Sequence, residues 1–114
     1  MQEERVETRR IAWEDAPGYP PGTRMKVLHR TTIVDRFLLH LPRGFEMDAH
    51  SHIYSEEHFV LEGEYQSEGQ TWERGAYRRI PAHVSHGPFT SDTGAILLVI
   101  RGCLAADDHY DYTI

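Results

Sequence analysis

Between Gly44 and Gly63 the chain reads GFEMDAHSHIYSEEHFVLEG. His50 and His52 stand one residue apart, and the acids Glu56 and Glu57 follow shortly after. On an extended strand residues i and i+2 share a face. Both imidazoles are therefore expected on one side, roughly 7 Å apart at Cα. Imidazole suits zinc, copper, iron and nickel. A carboxylate arriving on the next strand would add a third donor, so the stretch reads as the start of a metal site.

Histidine is the unusual feature of the composition, with eight in 114 residues. Five of them, His50, His52, His58, His83 and His86, fall inside 37 residues. A neutral histidine is a costly core filler because both ring nitrogens want partners. Metal ligation is a common reason for such a cluster. The single cysteine, Cys103, excludes an internal disulfide and a thiolate zinc site. It has no assignable base and reads as structural. His109, in Asp107-Asp108-His109-Tyr110-Asp111, reads as part of a solvated terminus.

Charge narrows the partners. The formal net charge is −6, with acids and bases interspersed, and no basic groove suited to nucleic acid stands out. The longest apolar run, Ala95 to Ile100, is far short of the roughly 20 residues that span a bilayer. The start, MQEERVETRR, is too charged for a secretory signal. A soluble, cytoplasmic protein is expected, with a small molecule as its partner and neither membrane nor nucleic acid.

The elements that must position the histidines are strands. Residues 1–22 read as an N-terminal arm, because Asp15 to Gly22 holds three prolines and two glycines in eight residues. Trp13 and Tyr19 are expected to pin this arm to the body or to a second subunit. Residues 23–114 read as one domain. Met25, Val27 and His29 alternate with polar or opposite-facing neighbours, and Phe37, Leu39 and Leu41 share one face. Turns are expected at Pro42-Arg43-Gly44, Ser67-Glu68-Gly69 and Arg74-Gly75. Strands are expected around His58–Gln66, Thr71–Glu73, Ala76–Ile80 and Ala95–Arg101, with a loop at Thr90-Ser91-Asp92-Thr93-Gly94. Tyr65, Trp72 and Tyr77 read as barrel packing, one or two of them free to line a pocket. About seven to nine short strands without an amphipathic helix argue for an all-β sandwich or barrel.

At this point the sequence resembles the cupin superfamily, whose fold is a double-stranded β-helix, or jelly-roll barrel. The family's first motif is glycine, five residues, His-x-His, three or four residues, glutamate, six residues, glycine. Gly44, His50, His52, Glu56 and Gly63 stand at those spacings. Its second motif is glycine, five residues, Pro-x-Gly, two residues, histidine, three residues, asparagine. Gly75, Pro81 and His86 match, while His83 replaces the glycine and Thr90 the asparagine. The resemblance implies His50, His52, Glu56 and His86 as metal ligands. The family's six-residue gap to Gly63 selects Glu56 over Glu57, and Glu56 shares a strand face with His58 and Val60. His58 and His83 are then candidates for contacting the ligands or the substrate. Glycine often marks a positive φ, so His83 raises a question about the turn it occupies.

Three neutral imidazoles and one carboxylate around a divalent ion carry a net charge of roughly +1 and leave about two positions open on an octahedral centre. Open positions are what a catalytic metal needs. The ion implied is one divalent transition metal, iron, zinc, manganese or nickel. Resemblance to small diketone-cleaving dioxygenases implies oxygenase-type chemistry on a small carbonyl or aromatic substrate. Isomerase or lyase chemistry is compatible with the same site. Resemblance to the cupin domain of zinc-binding anti-sigma factors implies a non-catalytic sensor instead. That reading expects an extra sigma-binding domain, which these residues do not supply. Small cupins commonly dimerise, so a homodimer is expected.

Overall fold

The computed structural model describes residues 2–102. The readings of Cys103 and His109 lie outside the described residues. A 3-10 turn at Thr8–Arg10 precedes nine strands. These are β1 (Glu14–Asp15), β2 (Arg24–Arg30), β3 (Val34–Leu41), β4 (Phe45–Met47), β5 (Ser55–Ser67), β6 (Gln70–Glu73), β7 (Tyr77–Ile80), β8 (Phe89–Ser91) and β9 (Ala95–Gly102). No helix among the described residues is long and apolar enough to cross a membrane.

All strand pairs are antiparallel, in the order β1-β2-β3-β9-β5-β8-β4, with β6 and β7 also on β5. The long strand β5 curls the sheet over. Its first part pairs with β7 and β9, and its last four residues pair with β6 and β8. The register slips between Val60 and Glu62, a bulge that bends the strand. Gly63 sits at this bend with φ +70°, and a Cβ there would lie 2.1 Å from the Gly94 carbonyl oxygen. Only glycine permits both the conformation and the close approach.

Alternation builds the core. Phe37, Leu39 and Leu41 of β3 point inward beside Val99, Leu97 and Ala95 of β9. His58 and Val60 of β5 continue those rows across the sheet. Phe37 and Val99 are fully buried. Each such side chain contributes about 2 kcal/mol of burial free energy. Phe45, Tyr65 and Phe89 close the barrel from the other sheet. The opposite face of β5, β7 and β9 leaves Phe59, Leu61 and Tyr77 exposed.

Several expectations change. His50 and His52 lie outside regular strands: His50 makes one isolated bridge with His86, and His52 is irregular. No continuous ladder therefore holds them, and a single bridge pair holds His50. Thr90 and Ser91 belong to strand β8 rather than to a loop. The Ser91 hydroxyl donates to the Glu64 carbonyl at 2.6 Å and accepts from the Gly94 amide at 3.0 Å, which gives a turn-forming residue a place in the sheet. Tyr77 does not pack the barrel. It stands opposite Phe59 on the outer face, and its hydroxyl donates to Glu57 at 2.6 Å. Within the arm, Glu14–Asp15 pairs with β2, and Lys26 lies 4.6 Å from the centre of the Trp13 ring.

Candidate metal centre

The backbone fixes His50 and His86 against each other. The His50 amide donates to the His86 carbonyl at 2.9 Å, and the His86 amide returns a bond to the His50 carbonyl at 2.8 Å. His52 is tied in by its own carbonyl, which accepts from the His83 amide at 2.6 Å. The three rings converge: centroids are 4.4 Å apart for His50–His86, 4.7 Å for His50–His52 and 4.8 Å for His52–His86. One ring nitrogen from each lies within 4.8 Å of the other two. Regular alternation is not needed for this. A local bridge and one loop hydrogen bond suffice.

The hydrogen bonds of the other ring nitrogens set the tautomers. Nδ1 of His50 faces the Asp48 carbonyl at 2.9 Å, and Nδ1 of His86 faces the Val84 carbonyl at 3.0 Å. A carbonyl only accepts, so both Nδ1 atoms carry the proton and both Nε2 atoms present a lone pair. His86 is buried, yet its Nε2 has no hydrogen-bond partner. An orphaned buried acceptor is costly unless a cation or donor meets it. The donor set thus fits a divalent ion, and three imidazoles at this separation suit a transition metal.

Glu56 stands beside the triad. It is buried, with Oε2 3.8 Å from His86 Nε2 and 3.1 Å from His58 Nε2. The other ring nitrogen of His58 meets the Tyr65 hydroxyl at 2.8 Å. The buried chain Glu56–His58–Tyr65 follows from parity: 56, 58 and 60 face inward before the bulge, and 65 and 67 after it. Burial pushes the Glu56 carboxyl up, but the hydrogen bond from His58 and the neighbouring imidazoles pull it down to about 2. Burial also lowers His52, to about 4, against the opposing pull of Glu56. His86 is lowered as well, again by burial first. At neutral pH His52 and His86 are therefore neutral and Glu56 is ionised, the protonation state that ligation requires.

His83 goes elsewhere. It is exposed, takes φ +65° without being glycine, and is not part of the histidine triad. His29 and His40 lie in β2 and β3; the His40 ring packs on Trp13 at 5.5 Å.

Beside His50 and His52 lies an open cleft of about 670 Å³, whose walls also include Tyr19, Met47, Tyr54 and Arg101. A narrow, mainly apolar hollow beneath it reaches Leu39, Leu97, Glu56 and His58. Tyr54 stacks on His52, with centroids 4.5 Å apart and planes 11° from parallel. Phe89 packs edge-on against His86 at 5.6 Å. Tyr54, Phe89 and Arg101 were not picked out by motif spacing. The inward parity of β9 does place Arg101 on the barrel side.

The family described as "ChrR Cupin-like domain" matches residues 1–105. Among solved structures, an RmlC-like cupin from Shewanella frigidimarina is 24% identical with a TM-score of 0.75, covering 94% of this chain and 96% of that one. An acetylacetone dioxygenase from Acinetobacter johnsonii is 18% identical with a TM-score of 0.77, covering 90% and 75%. The Rhodobacter sphaeroides SigE complex with the anti-sigma ChrR gives 19% identity and a TM-score of 0.65, over 84% of this chain and 51% of that one. A comparison with curated proteins finds no match. The fold is the cupin jelly roll that the two motifs imply.

Proposed function

The chain belongs to the ChrR cupin-like family, and on that footing we propose that it is a metal-dependent enzyme acting on a small carbonyl compound. His50, His52, His86 and Glu56 would hold one divalent ion. The observation that carries this reading is the open cleft lined by His50 and His52, two of the three convergent imidazoles. A site serving only to bind metal has no need of solvent access, whereas catalytic metal sites keep a position open. When bound, the ion supplies a Lewis-acidic centre for a substrate oxygen.

The chain's own residues do the rest. His58, braced by Tyr65, orients the Glu56 carboxylate and prevents it from rotating away. Tyr54 holds the His52 ring from its outer face. Tyr19 and Tyr54 wall the cleft, and their half-buried phenols stay protonated, since desolvation is the largest cause and pushes both upward. They are hydrogen-bond donors there, suited to orienting a carbonyl oxygen. Oxygenase-type chemistry is the favoured reaction, with isomerase or lyase chemistry compatible with the same residues. His/Glu donor sets are permissive, so iron, zinc, manganese and nickel all fit.

A second reading has its own support. The family takes its description from ChrR, and one similar structure is an anti-sigma factor held by a sigma factor. In that reading the metal is structural and the partner is a protein. Oxygen consumption separates the two. Iron(II)-loaded protein given a panel of small 1,3-diketones, 3-oxo acids and catechols should consume oxygen with at least one of them. No uptake across the panel would sink the oxygenase reading and favour a regulator or a lyase.

The exposed Phe59, Leu61 and Tyr77 share the outer face of β5 and β7 with half-buried Leu98 of β9. A homodimer through this face would cover them. Light scattering that finds a monomer at micromolar concentration would rule it out.

A further inference from the structure

The inward face of β9 runs Ala95, Leu97, Val99 and then Arg101. The first three are core residues. The fourth is a guanidinium at the barrel mouth, set in a cross-strand row. Asp35 of β3 lies opposite Arg101 on one side, and Glu56 of β5 lies opposite it on the other. Arg30 of β2 lies opposite Asp35. Along the row, Arg30, Asp35, Arg101 and Glu56 alternate in sign.

The pairing is uneven. Arg30 Nε donates to Asp35 Oδ1 at 2.9 Å. Arg101 Nη2 stands 3.6 Å from Asp35 Oδ2, beyond hydrogen-bond length. Glu56 is turned to His58 and the imidazoles. Asp35 is hydrogen-bonded to Arg30 and only ion-paired with Arg101, and no carboxylate among the described residues lies within hydrogen-bond reach of Arg101. Its plane is nevertheless fixed: the guanidinium lies 4.8 Å from the Phe37 ring centre and 5.6 Å from that of Tyr54. The side chain is 23% exposed and forms part of the cleft wall. Tyr54 in turn stacks on His52. One ligand in the cleft can therefore touch the metal-facing imidazoles and Arg101 together.

We propose that Arg101 receives a carboxylate of the ligand, so that the substrates of this cleft are small oxo acids rather than neutral diketones. The inference rests on the cleft being the substrate site of the metal centre proposed above. An arginine fork matches a carboxylate with two parallel hydrogen bonds. Once Glu56 is engaged by a divalent ion, the row carries an uncompensated positive charge, which an anionic ligand neutralises. A structural arginine, held only for its stacking on Phe37, would affect stability without favouring acids over neutral analogues.

The test uses acetoacetate and acetylacetone, which differ in a carboxylate against an acetyl group. Calorimetric titration of the zinc-loaded full chain should show acetoacetate bound at least about tenfold more tightly. Arg101→Gln should erase that preference by weakening acetoacetate far more than acetylacetone. An unchanged preference in this variant, or none in the wild type, would overturn the proposal. Should Arg101→Gln fail to fold, Arg101→Lys decides. A severalfold smaller preference supports the carboxylate fork, and an unaltered one refutes it. Zinc content on the same samples keeps the two readings apart. A wild type that binds no metal refutes the metal centre, and the preference measured on metal-free protein then judges Arg101 alone.

Discussion

His50 and His86 exchange both of their backbone hydrogen bonds, at 2.9 and 2.8 Å, and their rings stand 4.4 Å apart. Thirty-six positions separate them in sequence. This lone bridge sets two convergent imidazoles where no continuous strand runs. It also explains how a mouth assembled from loops can be pre-formed: the loops are stapled to each other at the histidines themselves.

Tyr65 is the far support of the site. Tyr65→Phe removes the hydroxyl that meets His58 Nδ1 at 2.8 Å and leaves a buried ring nitrogen unpaired. The expected cost is about 1–2 kcal/mol, read by denaturant titration. Because His58 holds Glu56, metal affinity should also fall by about tenfold. A variant with wild-type metal affinity would detach this relay from the site.

Gly63 links the bend of β5 to the core. Gly63→Ala forces a Cβ to 2.1 Å from the Gly94 carbonyl oxygen at a positive φ. A loss of about 3 kcal/mol or more is expected from strain and backbone displacement. Gly44, also a motif glycine at positive φ, has open space around its missing Cβ. Gly44→Ala should therefore cost less, about 1–2 kcal/mol. Equal melting temperatures for the two variants would contradict this account.

Glu68 clamps the loop that carries His86. Its carboxylate accepts hydrogen bonds from the Gly87 amide and from Arg78. Partial burial pushes this carboxyl up, but bonds with Ser67, Gly87 and Arg78 outweigh it and leave the group lowered. A depressed folded-state value means stability that is present above the ordinary carboxylate range and lost as pH falls through the lowered value. Glu68→Gln should therefore destabilise the protein at pH 7, by at most about 1 kcal/mol given the exposure of Glu68. The gap between the two proteins should close, by about the same amount, as pH falls from 7 to below the ordinary carboxylate range. Urea midpoints measured across that range check it. A pH-independent gap would mean the charge is not what matters.

Much of this was legible along the chain, for physical reasons. The period-two pattern fixed which side of β5 Glu56, His58 and Val60 face, and turn residues fixed Gly44, Gly69 and Gly75. What escaped depends on distant partners. Arg101 gains meaning only because β9 lies between β3 and β5, which sets it opposite both Asp35 and Glu56. The Thr90-Ser91 segment reads as a turn until the Ser91 hydroxyl finds the Glu64 carbonyl across the barrel. Parity could have placed Tyr77 outside, since its cross-strand partner is the outward Phe59. The His50–His52 segment was misread as strand because side-chain spacing alone does not distinguish a ladder from a single non-local bridge.

The central claim is that the histidine triad with Glu56 holds a metal. Elemental analysis of protein purified without added metal tests it most directly. The account predicts about one transition-metal ion per chain, lost in His86→Ala, whose ring supplies the one buried imidazole of the triad. Wild-type protein that stays metal-free after incubation with zinc, iron(II), manganese and nickel would contradict it.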